Sequence, residues 1–167
     1  GIRILRQDKW EALCSFIISQ CNNIPRIKKI VETLCREFGD GLELDGEKYY
    51  SFPEAERIAE LEESDLAPLR CGYRAPYIIG AARAVASGEL DLEALSHESF
   101  ETALKRLKAL NGIGDKVANC VILFGLCIPD AFPIDVWMKK ALSAHYSKDF
   151  DPKVFGRNAG LAQQYIF

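Results

Sequence analysis

Residues 117–128, VANCVILFGLCI, are apolar except for Asn119 and Gly125. The run falls well short of the roughly 20 residues a membrane span needs. A helix apolar nearly all round, as 117–126 would be, is the central buried helix of a globular core. Other helices must therefore surround it, and the sequence supplies them. Ile27, Ile30, Val31, Leu34, Cys35 and Phe38 recur at spacing three and four and form one face of a helix ending at Gly39. Trp10, Leu13, Cys14, Ile17 and Ile18 form another, with Asp8 as its N-cap and Glu11 three residues on. Further helices are predicted over Tyr77 to Val85, ended near Gly88, and over 99–110. Pro133 opens one at 134–144, and 155–167 forms the last.

Alternating runs are few, and Asn111-Gly112 is flanked by helical periods instead of strands. The expected fold is all-α, one helical domain over 1–167, with short connections. At 167 residues the length fits one domain. The segment 43–66, with Pro53 and then Pro68, reads as short helices between two layers. The absence of an initiating Met and the apolar stop at Phe167 suggest a fragment. No basic-then-apolar leader is seen and no membrane partner is expected; the scattered cysteines point to an intracellular protein.

Hydrophobic residues make up 49% and charged residues 27% of the chain, which excludes a disordered tail or a disulfide-stapled mini-protein. Six cysteines stand at 14, 21, 35, 71, 120 and 127 without a Cys-x-x-Cys pair. They read as reduced thiols holding neither zinc nor an iron–sulfur cluster. The net charge of −3 is unevenly placed. Residues 43–66 hold nine acids and two bases, leaving fifteen acids and nineteen bases elsewhere. That split permits one face that a phosphate backbone would accept; an acidic surface on any enzyme would give the same count.

Two segments carry chemistry. In Leu110-Asn-Gly-Ile-Gly-Asp-Lys116, two glycines one residue apart allow a tight turn into the next helix. Free N–H groups at that helix start can cradle a phosphate, unless the turn is purely structural. Carbonyls on its inner side could hold a monovalent cation, with Ile113 plugging the gap. Lys116 lies in the first turn of an otherwise apolar helix. Burial and the positive helix end favour a neutral amine there, as a nucleophilic lysine needs; a phosphate-contacting or snorkelling lysine is the plainer alternative. Asp135 follows Pro133 at a helix start and could be a helix cap. Paired with Lys116 it implies a reaction. The amine attacks a sugar C1′ as the base leaves, the carboxylate steadies the cationic sugar, and a Schiff base permits elimination of the 3′ phosphate. Attack at C1′ in a duplex requires an extruded nucleotide.

LNGIGDKVANC at 110–120 and FPIDVWM at 132–138 together resemble the hairpin and catalytic loop of helix-hairpin-helix DNA glycosylases. GIRILRQD at 1–8, SFIIS at 15–19, NNIPRI at 22–27, GYRA at 72–75 and GLAQ at 160–163 narrow the resemblance to the 8-oxoguanine DNA glycosylase/AP lyase family. The match runs from end to end in order. It implies a helical glycosylase bundle, with the hairpin at 99–127 and the catalytic aspartate loop at 131–138. It implies Lys116 as Schiff-base nucleophile and Asp135 as catalytic aspartate. Gly112, Gly114 and Val117 would be backbone donors to a DNA phosphate. The carbonyls of Lys108, Leu110 and Ile113 would be ligands of a Na or K ion, with no cofactor required. Tyr73 would wedge into the base stack, and Arg26 and Arg74 would read the orphaned cytosine. Cys120 and Phe167 would sandwich the flipped purine, and Gln163 would meet its Watson–Crick edge. The implied partner is duplex DNA containing an oxidised purine, and a monomer is expected.

Three departures stand out. Cys21 occupies the place of a family asparagine that contacts the orphaned cytosine, and a thiol cannot make those paired hydrogen bonds. A weakened preference for the opposite base is expected. Trp137 replaces a histidine often found beside the aspartate. The family's N-terminal β-rich domain, which supplies a carbonyl that tells 8-oxoguanine from guanine, has no counterpart in the sequence. Folded helices with compromised lesion discrimination, and an exposed apolar docking surface, are expected. Two alternatives remain. An endonuclease III-like enzyme for other oxidised bases usually carries four C-terminal cysteines, whereas Cys127 is the last here. A non-catalytic hairpin module would need neither Lys116 nor Asp135.

Overall fold

The structure, a computed structural model, describes residues 1–167. Helix α1 (Lys9–Ile18) starts where Asp8 accepts the N–H of Glu11 at 2.8 Å, the cap the sequence predicts. Helix α2 (Ile24–Phe38) starts at Asn23, which accepts from the N–H of Arg26 at 3.0 Å, and stops at Gly39. Next comes a two-stranded antiparallel hairpin, β1 (Gly41–Leu44) and β2 (Glu47–Tyr50), with Leu42 opposite Tyr49. This corrects the expectation of short helices through the start of the acidic segment. Asp45 and Gly46 both take positive φ, 53° and 79°, the conformation a two-residue Asp-Gly hairpin turn demands. Short α3 (Ala55–Ala59) follows, and then α4 (Ala75–Ala86), α5 (Leu92–Leu95) and α6 (Phe100–Lys108), the last capped by Ser99.

Helix α7 (Asp115–Cys120) runs on into a π-turn at Val121–Gly125, where the N–H of Leu126 bonds to the carbonyl of Val121 at 3.0 Å. This is the central helix expected from the apolar run. Val117, Ala118, Val121, Ile122 and Leu123 are all buried. A single cluster of 33 buried residues gathers α1, α2, α4 and α6 around it. Gly125 meets α1 closely, since a Cβ there would lie 3.0 Å from that of Ala12.

Helices α8 (Val136–His145) and α9 (Ala159–Ile166) pack on a second, smaller cluster of Phe132, Met138 and Ala159. Pro133 and Ile134 precede α8 instead of opening it, because Asp135 takes extended backbone and caps the helix. The predicted last helix is divided. A 3₁₀ segment (Pro152–Asn158) breaks at Gly156, whose φ of 52° no right-handed helix contains, before α9 begins. No helix is long and apolar enough to cross a membrane.

Candidate active site

The turn between α6 and α7 is built by Gly112 and Gly114 in different ways. Gly112 has φ of 82°, and a Cβ on it would lie 2.4 Å from the Tyr77 ring. The ring therefore packs directly on the bare backbone. Gly114 has ordinary φ, and nothing lies within 4 Å of where its Cβ would stand, so this side of the turn is open. No backbone carbonyl accepts from the N–H of Gly112, Gly114 or Val117. Helix starts leave such donors free. On the other side, the carbonyls of Lys108 and Ile113 accept no protein hydrogen bond, and that of Leu110 accepts one, from Ile113 at 3.3 Å. Lys108 and Asp115 brace the turn with an ion pair at 2.6 Å.

Beyond the turn lies a cleft of about 250 Å³ between the two packing clusters. Lys116, Cys120 and Phe124 enter it from the central helix, Pro133 and Asp135 from the loop before α8, and Gln163, Gln164 and Phe167 from α9. The sequence separates these groups by up to half a hundred residues, and the fold brings them into one place. The volume lies below the roughly 300–1,000 Å³ of pockets for drug-sized ligands and suits one heterocyclic base. Three larger clefts, of about 880, 740 and 520 Å³, contain neither Lys116 nor Asp135.

The Lys116 ammonium nitrogen lies 3.5 Å from the Ser19 hydroxyl and 5.6 Å from the centre of the Phe16 ring. The Ser19 hydroxyl donates to the carbonyl of Phe16 at 2.8 Å, which turns its lone pairs toward Lys116. Phe16 is itself stacked on Phe124 at 5.7 Å. Asp135 is a cap, as the plainer reading held, but only through one oxygen. Oδ1 accepts the N–H of Met138 at 2.7 Å, leaving Oδ2 without a protein partner. Burial pushes the Cys120 thiol above its ordinary value of 9.0; Lys116 opposes the shift and Asp135 adds to it. Both charges are therefore felt at one thiol. Gln163 is buried, with its Nε2 donating to the carbonyl of Pro133 at 3.2 Å. Phe167 is 68% exposed at the rim.

A second group surrounds the turn between α1 and α2. Cys21 is exposed, with φ of 46°. Arg26 is exposed and donates to the carbonyl of Arg70 at 2.9 Å. Tyr73 is 52% exposed, and its hydroxyl lies 3.4 Å from the carbonyl of Gln20. Arg74 differs from the expectation of a guanidinium facing a base edge. It is only 2% exposed and donates to the carbonyls of Gln20, Cys21 and Cys71. One buried cation bonded to three carbonyls ties these segments together, so Arg74 holds the turn. Trp137 is 66% exposed, 4.6 Å from the Lys140 ammonium.

Sequence reasoning missed Ser19, Phe16 and Asn119. The side chain of Asn119 ties the central helix to the loop before α8. Its signal was present, because it is the one amide inside the apolar run.

Residues 14–155 match a family described as HhH-GPD superfamily base excision DNA repair protein. The chain belongs to that superfamily. This HhH-GPD chain is 37% identical over 158 residues to the N-glycosylase/DNA lyase of Saccharomyces cerevisiae, covering 87% of itself and 42% of that protein. It is 41% identical over 137 residues to a DNA-3-methyladenine glycosylase of Bacillus subtilis, covering 81% of itself and 45% of the relative. Among solved structures it is similar to the Clostridium acetobutylicum 8-oxoguanine glycosylase/lyase in complex with double-stranded DNA containing cytosine opposite 8-oxoguanine. The TM-score is 0.90 at 38% identity, over 99% of this chain and 60% of the other. The chain thus spans about half the length of the curated relatives it matches.

Proposed function

We propose that this HhH-GPD chain is the catalytic helical part of a bifunctional DNA glycosylase/AP lyase that removes 8-oxoguanine from duplex DNA. The observation that carries the reading is the convergence of Lys116 and Asp135 on one base-sized cleft. The extruded base enters between Cys120 and Phe167, near the Gln163 amide. The Lys116 amine attacks C1′, and the bond from C1′ to the base breaks with its electrons leaving on the base. The free carboxylate oxygen of Asp135 faces the positive charge that develops on the sugar. Ring opening gives a Schiff base between Lys116 and C1′, and loss of a C2′ proton then expels the 3′ phosphate.

The open N–H groups of Gly112, Gly114 and Val117 suit a DNA phosphate. The carbonyls of Lys108, Leu110 and Ile113 fit a Na or K ion, since two of the three are otherwise unpartnered. Such an ion would offset their negative ends and favour a phosphate beyond. In this reading the exposed Tyr73, Arg26 and Cys21 meet the opened base pair. Reading a base with Arg74 would need its turn to release the guanidinium. The chain acts as a monomer in this reading.

Borohydride trapping on a duplex containing 8-oxoguanine opposite cytosine tests the proposal. A covalent adduct, lost in Lys116→Gln while duplex binding persists, is expected; binding by the intact protein with no adduct would refute it. The Bacillus relative supports a second reading, excision of 3-methyladenine. Release of that base from methylated DNA, with 8-oxoguanine left in place, would select it.

A further inference from the structure

Lys116 and Asp135 stand on opposite sides of a packing seam. Val117, the neighbour of Lys116, belongs to the large cluster, as do Val121, Ile122, Leu123, Leu126, Ile128 and Ala131. Phe132, the next residue, belongs to the small cluster, with Met138 beyond Asp135. The two groups therefore sit beside different clusters, which meet where the N–H of Gly160 bonds to the carbonyl of Pro129 at 2.7 Å, and the loop that carries Asp135 must still be fixed against the central helix. Asn119 lies at this seam, one turn along the helix from Lys116. Its Oδ1 accepts the N–H of Phe132 at 3.1 Å, and its Nδ2 donates to the carbonyl of Asp115 at 2.9 Å. The two partners settle which way the amide faces, because one offers a proton and the other takes one. Phe132 is the first residue past the seam and stands three residues before Asp135. The loop it opens is extended, with no helix or strand of its own to hold it.

We propose that Asn119 is a positioning residue, a bracket that sets the Asp135 carboxylate against the Lys116 amine across the seam. The inference rests on the reading of those two groups as the reacting pair. Asn119 does not line the cleft, so it touches neither base nor sugar. It acts by denying the loop its alternative positions. Misplacement of a reacting group by about 1 Å costs on the order of 100-fold in rate.

The test uses the full chain with Asn119→Leu, which keeps side-chain bulk without the acceptor, and Asn119→Asp, which keeps the acceptor. Hydrogen exchange at the Phe132 amide is read without DNA. Single-turnover trapping on the 8-oxoguanine duplex is read across DNA concentrations. In Asn119→Leu, the Phe132 amide should exchange at least tenfold faster and the trapping rate should fall about 10- to 100-fold. Half-saturating DNA should stay within about threefold, because the hairpin donors are untouched. Asn119→Asp should recover most of the rate, since a carboxylate oxygen accepts the same N–H. A leucine variant that traps at the wild-type rate, or an aspartate variant as slow as leucine, overturns the proposal. So does an unprotected Phe132 amide in the wild type. Absence of any wild-type adduct with that amide protected overturns the lysine chemistry instead and leaves the bracket standing.

Discussion

Replacing Gly112 by alanine should cost stability through two separable effects, and Tyr77 makes the separation measurable. The first is backbone conformation. At φ of 82° an added Cβ crowds its own carbonyl, at about 1–2 kcal/mol. The second is overlap with the Tyr77 ring, whose Cγ and Cδ2 would both lie 2.4 Å away. Forcing an extra methyl into such a contact costs about 1–3 kcal/mol. Gly112→Ala should therefore lose about 2–5 kcal/mol, read from urea unfolding at constant slope. Made in a Tyr77→Ala background, the same change should cost only the backbone share, leaving a coupling of about 1–3 kcal/mol. Gly114→Ala is the control. Its φ is ordinary and no atom lies within 4 Å, so about 0.5–1 kcal/mol is expected for a poorer N-cap. That methyl would instead stand at the proposed phosphate contact. Loss of one charge-assisted bond, about 1.5 kcal/mol, predicts roughly tenfold weaker duplex binding. A Gly112→Ala protein within 0.5 kcal/mol of wild type, a limit set by ordinary surface changes, would refute the reasoning, as would equal losses in both backgrounds.

Burial raises the thiol of Cys14 above its ordinary 9.0, and the thiols of Cys35, Cys71 and Cys120 are raised by the same cause. A group held protonated in the folded state stabilises fully below its unfolded value, and that stability drains as pH climbs past it. Urea unfolding from pH 8 to 10.5 should show stability falling above pH 9, with Cys14→Ala flattening the slope by up to about 1.4 kcal/mol per pH unit; parallel slopes would contradict the assignment. Cys21 takes φ of 46°, a region asparagine tolerates better than cysteine. Cys21→Asn should therefore gain about 0.5–1 kcal/mol and sharpen excision opposite cytosine relative to adenine, and a less stable variant with unchanged ratios would remove both ideas.

Much of the helical architecture was legible because its signals are local. Asp8 and Ser99 bond to N–H groups three residues on, and the apolar spacing marks each buried face. The β1–β2 hairpin was missed although Asp45-Gly46 announces it, because its strands are wholly exposed and only four residues long, so Leu42-Glu43-Leu44 is too short an alternation to stand out. Lys116 and Asp135 could be singled out as candidates because both stand at helix starts, where residue type and position speak together. Arg74 could not be placed from sequence. The carbonyl of Gln20 that holds it is 54 residues away, and nothing local says that the guanidinium turns inward. Asn119 likewise has its partner thirteen residues on, across a seam that only packing defines.

The wider turn at Val121–Gly125 has a bearing on aim. Lys116, Cys120 and Phe124 are spaced by four, whereas a regular helix repeats every 3.6 residues. Each such step overshoots by about 40°, so two would carry Phe124 some 80° away from the lysine's direction. Fitting an extra residue into the second loop of backbone winds that overshoot back. A perfectly regular helix could bury as much oil and still point its third side chain at the wrong wall. One irregular coil thus works as a phase adjustment, letting a single rod floor the cleft along its length.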